Sequence, residues 1–281
     1  MVNVNASATE YSVIIRHSGE QTFKALHKQI LRYIPEARVA TVSSNSFEST
    51  LRQSYEQALQ LGYPWSLLID ADILLIDRFF SFYAPRAIEA NTNALGFAFR
   101  VWDRFYQSPK FRGIHFYNTQ YIEQALKHIP VEGQTLRPES YVKERLAGEG
   151  LSWIKYGNIV GVHDFFQNPR DVFAKMAIRA HRSSGDFEEL LSRLSRSSAN
   201  QIDFIVACEG LRHGMTMDRA DVKNSRIHYD EAFRRWVLAS HASISDEINV
   251  PESVNFLLQT LIFRSSIKLA IKNYNSLIKW G

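Results

Sequence analysis

The segment that most constrains this chain is residues 65–75, which read Trp-Ser-Leu-Leu-Ile-Asp-Ala-Asp-Ile-Leu-Leu. The uninterrupted apolar run from Leu67 to Ile69 predicts a strand that is buried on both faces. Side chains alternate along a strand, so Asp70 and Asp72 project to the same side if the strand geometry continues through them. The plainer alternative is a strand that simply ends in Asp, a residue that is common in turns.

Two carboxylates at the end of a buried strand form a hard oxygen site, which suits Mg²⁺ or Mn²⁺. These ions in turn suit a diphosphate. The carboxyl ends of strands are also where open α/β sheets bind their ligands. The segment therefore favours a site for a metal ion and a diphosphate.

Strand and helix signals alternate ahead of this segment. Strands are predicted at 11–16 and 38–42. A helix with apolar residues at helical spacing lies between them, and a second helix runs from a cap at Ser46 or Asn45 to about Leu61, with Gly62 as its stop. The order strand, helix, strand, helix, strand is typical of a doubly wound α/β fold.

Further strand signals lie at 94–101, 113–117 and 153–162, and the last of these runs into His163. A helix is predicted from Glu139 to Gly148. After about Pro169, helical periodicity replaces the strand signals. We therefore expect an α/β domain with a mainly parallel sheet over 1–168 and a helical region over 169–281.

Composition narrows the class of protein. The 281 residues carry a formal net charge of +4, which fits an anionic ligand but is too weak to indicate nucleic acid. The single cysteine, Cys208, excludes an internal disulfide and a cysteine-based zinc cluster, which favours a reducing compartment. The N-terminal residues do not read as a signal peptide, and no uncharged apolar run has the length of a membrane span. A cytoplasmic location is therefore expected.

Residues 11 to about 165 resemble a glycosyltransferase of the GT-A fold, and among these enzymes they are similar to those of the family-two type. Tyr-Ser-Val-Ile-Ile-Arg at 11–16 is similar to its opening strand, and Leu-Leu-Ile-Asp-Ala-Asp at 67–72 is similar to its D-x-D motif. Glu139-Ser140, followed by 142–146, Gly150, Trp153 and Val162-His163, resembles the helix with an acidic pair and the later histidine of these enzymes.

This resemblance implies a nucleotide-sugar donor and a divalent ion, Mn²⁺ or Mg²⁺. The implied metal ligands are Asp70, Asp72 and His163. The implied donor-binding residues lie after the first strand, after the second strand, on the second helix, in the D-x-D motif and where backbone approaches the donor sugar: Arg16, His17, Ser18, Glu20, Ser43, Ser44, Asn45, Arg52, Ala71 and Gly113. The second strand of the family more often ends in an acidic residue, so the base of the nucleotide stays open.

The same resemblance implies a mechanism for the sugar transfer. A bound metal ion neutralises the leaving diphosphate, and in an inverting enzyme a carboxylate takes the proton of the acceptor hydroxyl. That base usually occupies the second position of the acidic pair, which here is Ser140. Glu139 is the first candidate base and Glu144 the second; a retaining mechanism without such a base is the alternative. The acceptor would be a glycan, a lipid-linked molecule or a protein.

Three other functions compete with this interpretation. A haloacid-dehalogenase-like phosphatase would use Asp70 as its nucleophile, but that family has Thr or Val where this chain has Leu74, and its motif opens the fold. A sugar-nucleotide pyrophosphorylase would need a glycine-rich N-terminal loop, which 16–20 lacks. A non-catalytic scaffold with a GT-A-like fold is supported only by Ser140.

The C-terminal segment 267–280 is predicted to be an amphipathic helix. Its apolar residues share one face, and Lys268, Lys272 and Lys279 fall together on a flank. Such a helix either makes peripheral contact with a membrane or packs its apolar face on the protein or on a second subunit, as in a homodimer.

Overall fold

One seven-stranded sheet is the central feature of the computed structural model, which describes residues 10–91, 93–182, 187–197, 201–222, 226–240, 250–251 and 254–263. The order across the sheet is β2-β1-β3-β6-β5-β7-β4. The strands are β1 Tyr11–Arg16, β2 Val39–Val42, β3 Trp65–Asp70, β4 Ile73–Leu75, β5 Gly96–Asp103, β6 Ser108–Asn118 and β7 Trp153–His163.

The sheet has a parallel half and a mixed half. Strand β1 pairs in parallel with both β2 and β3, which confirms the predicted strand–helix–strand unit. Strand β6 is antiparallel to both β3 and β5, β5 is parallel to β7, and β7 is antiparallel to β4. The predicted α/β architecture is confirmed, but the described sheet is mixed and not mainly parallel, since three of its six strand pairs are antiparallel.

Both faces of β1 and β3 are covered, as their continuous apolar sequences predict. Val13 and Leu67 pack into one apolar core, whereas Ile14 and Leu68 pack into a second core on the opposite face. All four side chains are fully buried. Full burial of such a side chain contributes about 1.5–3 kcal/mol, so these strands fix the edge at which Arg16 and Asp70 emerge.

Short helices cover the sheet and continue beyond it. Helix α2 begins where the Ser46 hydroxyl accepts a hydrogen bond from the Ser49 amide, and it ends at Gly62 with a φ of 70°, as the capping residues predict. The helices are α1 Phe23–Leu31, α2 Phe47–Leu61, α3 Ala84–Glu89, α4 Ile122–Lys127, α5 Pro138–Gly148, α6 Pro169–Arg179, α7 Phe187–Ser197, α8 Ile202–Thr216 and α9 Asp230–Ser240.

Helices α6 to α9 form a third apolar core, into which the chain after β5 inserts Phe105 and Tyr106. Helices α6 and α8 pack closely at Gly210, which has no side chain. A Cβ at this position would lie 2.3 Å from the Phe173 carbonyl oxygen. Helical structure after residue 169 agrees with the sequence pattern. The division into 1–168 and 169–281 stays a prediction, since residues 254–258 also pack on the sheet core.

Within the described part of the chain, no helix combines the length and the apolar character that crossing a bilayer requires. The predicted amphipathic helix at 267–280 lies outside the described residues. A helical stretch over 255–263 precedes it, and the Asn255 side-chain amide donates a hydrogen bond to Asp77 at 2.9 Å.

Candidate active site

A cleft of about 1070 Å³ opens where β1, β3 and β7 end, beside the first turns of α5 and along α6. The ends of β1 and β3 are carboxyl ends of parallel neighbours, as the sequence predicts for a ligand site. The cleft contains most of the predicted site residues: Arg16, His17, Ser18, Glu20, Ser43, Ser44, Asn45, Asp70, Asp72, Gly113, Glu139 and His163.

Three predicted residues lie outside this lining. Arg52 is exposed on α2 and Glu144 is exposed on α5. Ala71 is fully buried in the turn after β3, where its amide donates to the Arg16 carbonyl oxygen at 2.9 Å. Ala71 therefore contacts the end of β1 through its backbone, and the structure gives Arg52 and Glu144 no place in the cleft.

Asp72, His163 and Asp164 are the one group of potential metal ligands found among the described residues. One ligand atom from each lies within 4.8 Å of the others. The turns that carry them are joined, since the Asp164 amide donates to the Asp72 carbonyl oxygen at 3.2 Å. Asp164 has a φ of 62°, a left-handed conformation that Asp tolerates better than most residues.

The chemistry of this group fits Mn²⁺ or Mg²⁺. Two carboxylates supply hard oxygen ligands, and a neutral imidazole is also accepted by Mn²⁺. All three side chains are buried, so a bound ion would be shielded from bulk water except through the cleft. The residues present therefore fit a divalent ion, with Asp164 in the place that the sequence suggested for Asp70.

Asp103, at the end of β5, stands behind His163. Its Oδ2 lies 3.2 Å from His163 Nδ1, while His163 Nε2 lies 3.6 Å from Asp72 Oδ1. Asp164 Oδ2 lies 3.1 Å from the same Nδ1, so two carboxylates contact the ring nitrogen that faces away from Asp72, and a carboxylate at that position commonly orients a metal-binding histidine. Burial raises the pKa of Asp103, but Arg112 and His163 outweigh it and hold that pKa below the ordinary value.

Asp70 pairs with Arg16 and stays apart from this group. Strand β3 ends at Asp70, and residues 71–72 form a turn, so the alternation that would align the two aspartates is broken. Arg16 and Asp70 are register neighbours on parallel strands, and Arg16 Nε donates to Asp70 Oδ1 at 2.7 Å. The backbone geometry thus gives the two aspartates different partners.

Gly113, on β6, faces Asp70. Its φ is 58°, and a Cβ there would lie 2.8 Å from Asp70 Oδ2 and 2.5 Å from Ile73 Cδ1. Any side chain would displace the carboxylate as well as strain the backbone. The glycine therefore makes room for Asp70 beside the cleft.

Glu139, at the start of α5, completes a buried charge network. Its Oε1 accepts from the Tyr117 hydroxyl at 2.9 Å and lies 2.7 Å from His115 Nδ1. Arg16 lies 3.4 Å from its Oε2, and Lys143 lies 3.6 Å from its Oε1. Burial raises the pKa of Glu139, but Arg16, His115 and Lys143 outweigh it and hold the pKa well below the ordinary value.

His115 should make the stability of the fold depend on pH. Burial lowers its pKa to about 4; Glu139 opposes this shift, whereas Lys143 and Arg16 reinforce it. In the unfolded chain His115 is protonated below its ordinary pKa of 6.5, whereas in the folded chain it stays neutral down to about pH 4. Stability is therefore lost as the pH falls through this window, by up to about 1.4 kcal/mol per pH unit.

Urea unfolding of the parent protein and of His115→Gln between pH 7 and pH 4 checks this expectation. The free energy of unfolding of His115→Gln should fall less steeply with decreasing pH, because glutamine has no proton to take up. Parallel curves for the two proteins would contradict the assignment.

The end of the cleft formed by the loops after β1 and β2 is polar and locally ordered. Glu20 accepts hydrogen bonds from the Ser18 amide at 2.7 Å and from the Ser18 hydroxyl at 3.0 Å. The His17 ring packs on Phe23 at 4.4 Å between centroids. The Ser44 hydroxyl donates to the Ser46 carbonyl oxygen at 2.9 Å. These contacts shape the loops that follow β1 and β2.

The opposite wall of the cleft is cationic. The guanidinium groups of Arg112 and Arg179 lie 4.6 Å and 5.0 Å from the centroid of the Tyr106 ring. Burial and the neighbouring Arg112 lower the pKa of Arg179, which indicates crowding of positive charge. This wall favours an anionic ligand next to the Asp72–His163–Asp164 group.

Several residues that the structure places at the site are not predicted from the sequence. Asp164 directly follows His163, so its adjacency to a predicted ligand was the available signal. Asp103 lies two residues beyond the strand predicted at 94–101, and it ends the observed strand β5. Lys175 and Arg179 lie one turn apart on α6, and no motif marks them, because they approach the cleft only through the packing of α6.

No protein-family model matches the chain, and no curated protein matches it. Among solved structures, the mannosyltransferase PcManGT from Pyrobaculum calidifontis, in complex with GDP-Man and Mn²⁺, is 12% identical with a TM-score of 0.42, over 98% of this chain and 85% of that one. A glycosyltransferase involved in glycosylation of the major capsid of PBCV-1 is 11% identical with a TM-score of 0.39, over 54% and 92% of the two chains.

A cytidylyltransferase from Leptospira borgpetersenii is also similar, at 11% identity and a TM-score of 0.41, over 69% of this chain and 98% of that one. Glycosyltransferases and nucleotidyltransferases are thus both present among the similar structures. At TM-scores below 0.5 these likenesses carry no argument about activity, which must be inferred from the cleft itself.

Proposed function

We propose that this chain is a nucleotide-sugar-dependent glycosyltransferase that uses a divalent ion, Mn²⁺ or Mg²⁺. The observation that carries the proposal is the buried group of Asp72, His163 and Asp164 in a cleft with a cationic wall. Two carboxylates and an imidazole suit a divalent ion, and arginines beside it suit a diphosphate. Asp72, one member of this group, belongs to the D-x-D sequence at 70–72.

Each part of the cleft then has a role toward the donor. The loops after β1 and β2, with Ser18, Glu20 and Ser44 among them, would hold the nucleoside. Arg112 and Arg179 would face the diphosphate. Asp72, His163 and Asp164 would hold the ion, which when bound neutralises the charge of the leaving nucleotide. Asp103 would keep the His163 ring in the orientation that this requires.

Of the two candidate bases, Glu139 lines the cleft and Glu144 lies outside it. Its donors keep Glu139 ionised at neutral pH, but the same donors make it a weak base, which lowers its efficiency in proton abstraction. We therefore assign Glu139 chiefly to holding Arg16, His115 and Lys143 in place beside the donor. A retaining mechanism, which needs no such base, fits this arrangement best.

The competing functions make different demands on Asp70. A phosphatase of the dehalogenase type needs a free Asp70 carboxylate as its nucleophile, whereas here Oδ1 accepts from Arg16 and Oδ2 lies against Gly113. The acceptor class, a cytoplasmic location, contact with a membrane and a homodimer remain proposals. The last two depend on 267–280, outside the described residues.

Donor hydrolysis tests the proposed activity. The protein is incubated with UDP-, GDP-, CMP- and dTDP-sugars, with Mn²⁺ and with a chelator, and release of free sugar and nucleotide is followed. We expect slow turnover of one donor class that requires the ion. Phosphate release from a generic phosphomonoester would instead identify a phosphatase, and absence of both turnover and nucleotide binding would identify a scaffold.

A further inference from the structure

Lys175, on the second turn of α6, reaches into the group of potential metal ligands. Its Nζ donates to Asp72 Oδ2, to Asp164 Oδ1 at 2.7 Å and to Gln167 Oε1 at 3.2 Å. Its side chain is 16% exposed, and that of Asp164 is fully buried. An ammonium group therefore already lies between the two carboxylates that would hold a divalent ion.

Lys175 and His163 contact different carboxylate oxygens of Asp72 and Asp164. Lys175 contacts Oδ2 of Asp72 and Oδ1 of Asp164, whereas His163 lies near Oδ1 of Asp72 and Oδ2 of Asp164. An ion held by His163 and both carboxylates would lie within a few ångströms of the ammonium group. Two cations at that separation in a buried site repel each other strongly.

The charges around the site also disfavour a bound ion beside Lys175. Three carboxylates, those of Asp72, Asp103 and Asp164, meet three cations, which are Lys175, Arg112 and Arg179. When His163 is neutral, as an imidazole that binds an ion must be, these charges balance before the ion enters. A divalent ion would then leave an excess of two positive charges, which a diphosphate with one negative charge on each phosphate would compensate.

We propose that Lys175 is the built-in counter-cation of the metal site. It holds Asp72 and Asp164 together when no ion is bound, and it keeps ion affinity low until an anionic ligand enters the cleft. This inference rests on the proposed function for the identity of the ion and of its ligand. A lysine that only supported packing of α6 would have no such effect on ion affinity.

Calorimetric titration with Mn²⁺ alone, without nucleotide, separates these roles. We expect Lys175→Met to bind Mn²⁺ at least tenfold more tightly than the parent protein, equivalent to about 1.4 kcal/mol. Lys127→Met is the matched control, because Lys127 is an exposed lysine on α4 away from the cleft and its loss changes the net charge equally. Its Mn²⁺ affinity should equal that of the parent.

A second variant guards against loss of fold in Lys175→Met. Lys175→Gln keeps a polar side chain beside the two carboxylates but removes the charge, and Mn²⁺ should raise its Tm by more than it raises the Tm of the parent. Equal Mn²⁺ affinity and equal Tm shifts in parent and variants would overturn the role of Lys175 and leave the metal site standing. If neither the parent nor any variant binds Mn²⁺, both the role of Lys175 and the proposed metal site are overturned. The transferase activity is tested separately, by donor hydrolysis.

Discussion

Replacing Arg16 by methionine is expected to lower the free energy of unfolding by about 3–5 kcal/mol, the usual cost of removing one partner from a buried ion pair. The Arg16 side chain is 3% exposed, and it pairs with Asp70 at 2.7 Å and with Glu139 at 3.4 Å. Without it, two carboxylates of the cleft would remain close together and lose their shared cation.

Denaturant unfolding of Arg16→Met and of a matched control measures this effect. Arg38→Met is the control, because Arg38 pairs with Glu10 near the surface, where an ion pair contributes about 0–1 kcal/mol. The double variant Arg16→Met, Glu139→Gln should lose less than the sum of the single losses, since the two side chains share one interaction. Equal losses for Arg16→Met and Arg38→Met would contradict a buried charge network.

Replacing Asp72 or Asp164 by asparagine is expected to lower donor turnover by about 10³-fold, because a metal ion supplies several kcal/mol of charge stabilisation in the transition state. Asp103→Asn should lose less, about 10- to 100-fold, since Asp103 acts through the orientation of His163. This ranking separates residues that would hold the ion from one that positions a ligand.

The measurement is the rate of hydrolysis or transfer with the donor that the screen identifies, over a range of Mn²⁺ concentrations. Asp221→Asn is the control, because Asp221 is an exposed carboxylate outside the cleft, and its rate should equal that of the parent. If Asp164→Asn keeps full activity whereas Asp70→Asn loses it, the ion is held as the sequence suggested and not as the structure indicates.

The strands around the site could be predicted from sequence because their apolar runs have few other uses. The run ending at Asp70 must be buried on both faces, and β1 beside it follows the same rule. Such strands bring their carboxyl ends to one edge, and the structure places Arg16 and Asp70 side by side there. His163 was expected at the end of the last strand.

The details of the site could not be predicted, for local and for topological reasons. Whether Asp70 and Asp72 share a face depends on a turn at 71–72 that no pattern of residues marks. Lys175 meets Asp72 across 103 positions of sequence, through the packing of α6, and neither residue carries a signal for the other. Arg52 has suitable chemistry, but it lies on the exposed side of α2.

The central claim is that Asp72 and its neighbours join a divalent ion to a nucleoside diphosphate. Calorimetric titration of UDP and of GDP into the parent protein and into Asp72→Asn, each with and without Mn²⁺, tests it most directly. One nucleotide should bind the parent at least about tenfold more tightly with Mn²⁺ than without it, a difference of about 1.4 kcal/mol, and Asp72→Asn should bind equally under both conditions. A parent protein that binds neither nucleotide, or that keeps the same Mn²⁺ dependence after Asp72→Asn, would contradict the account.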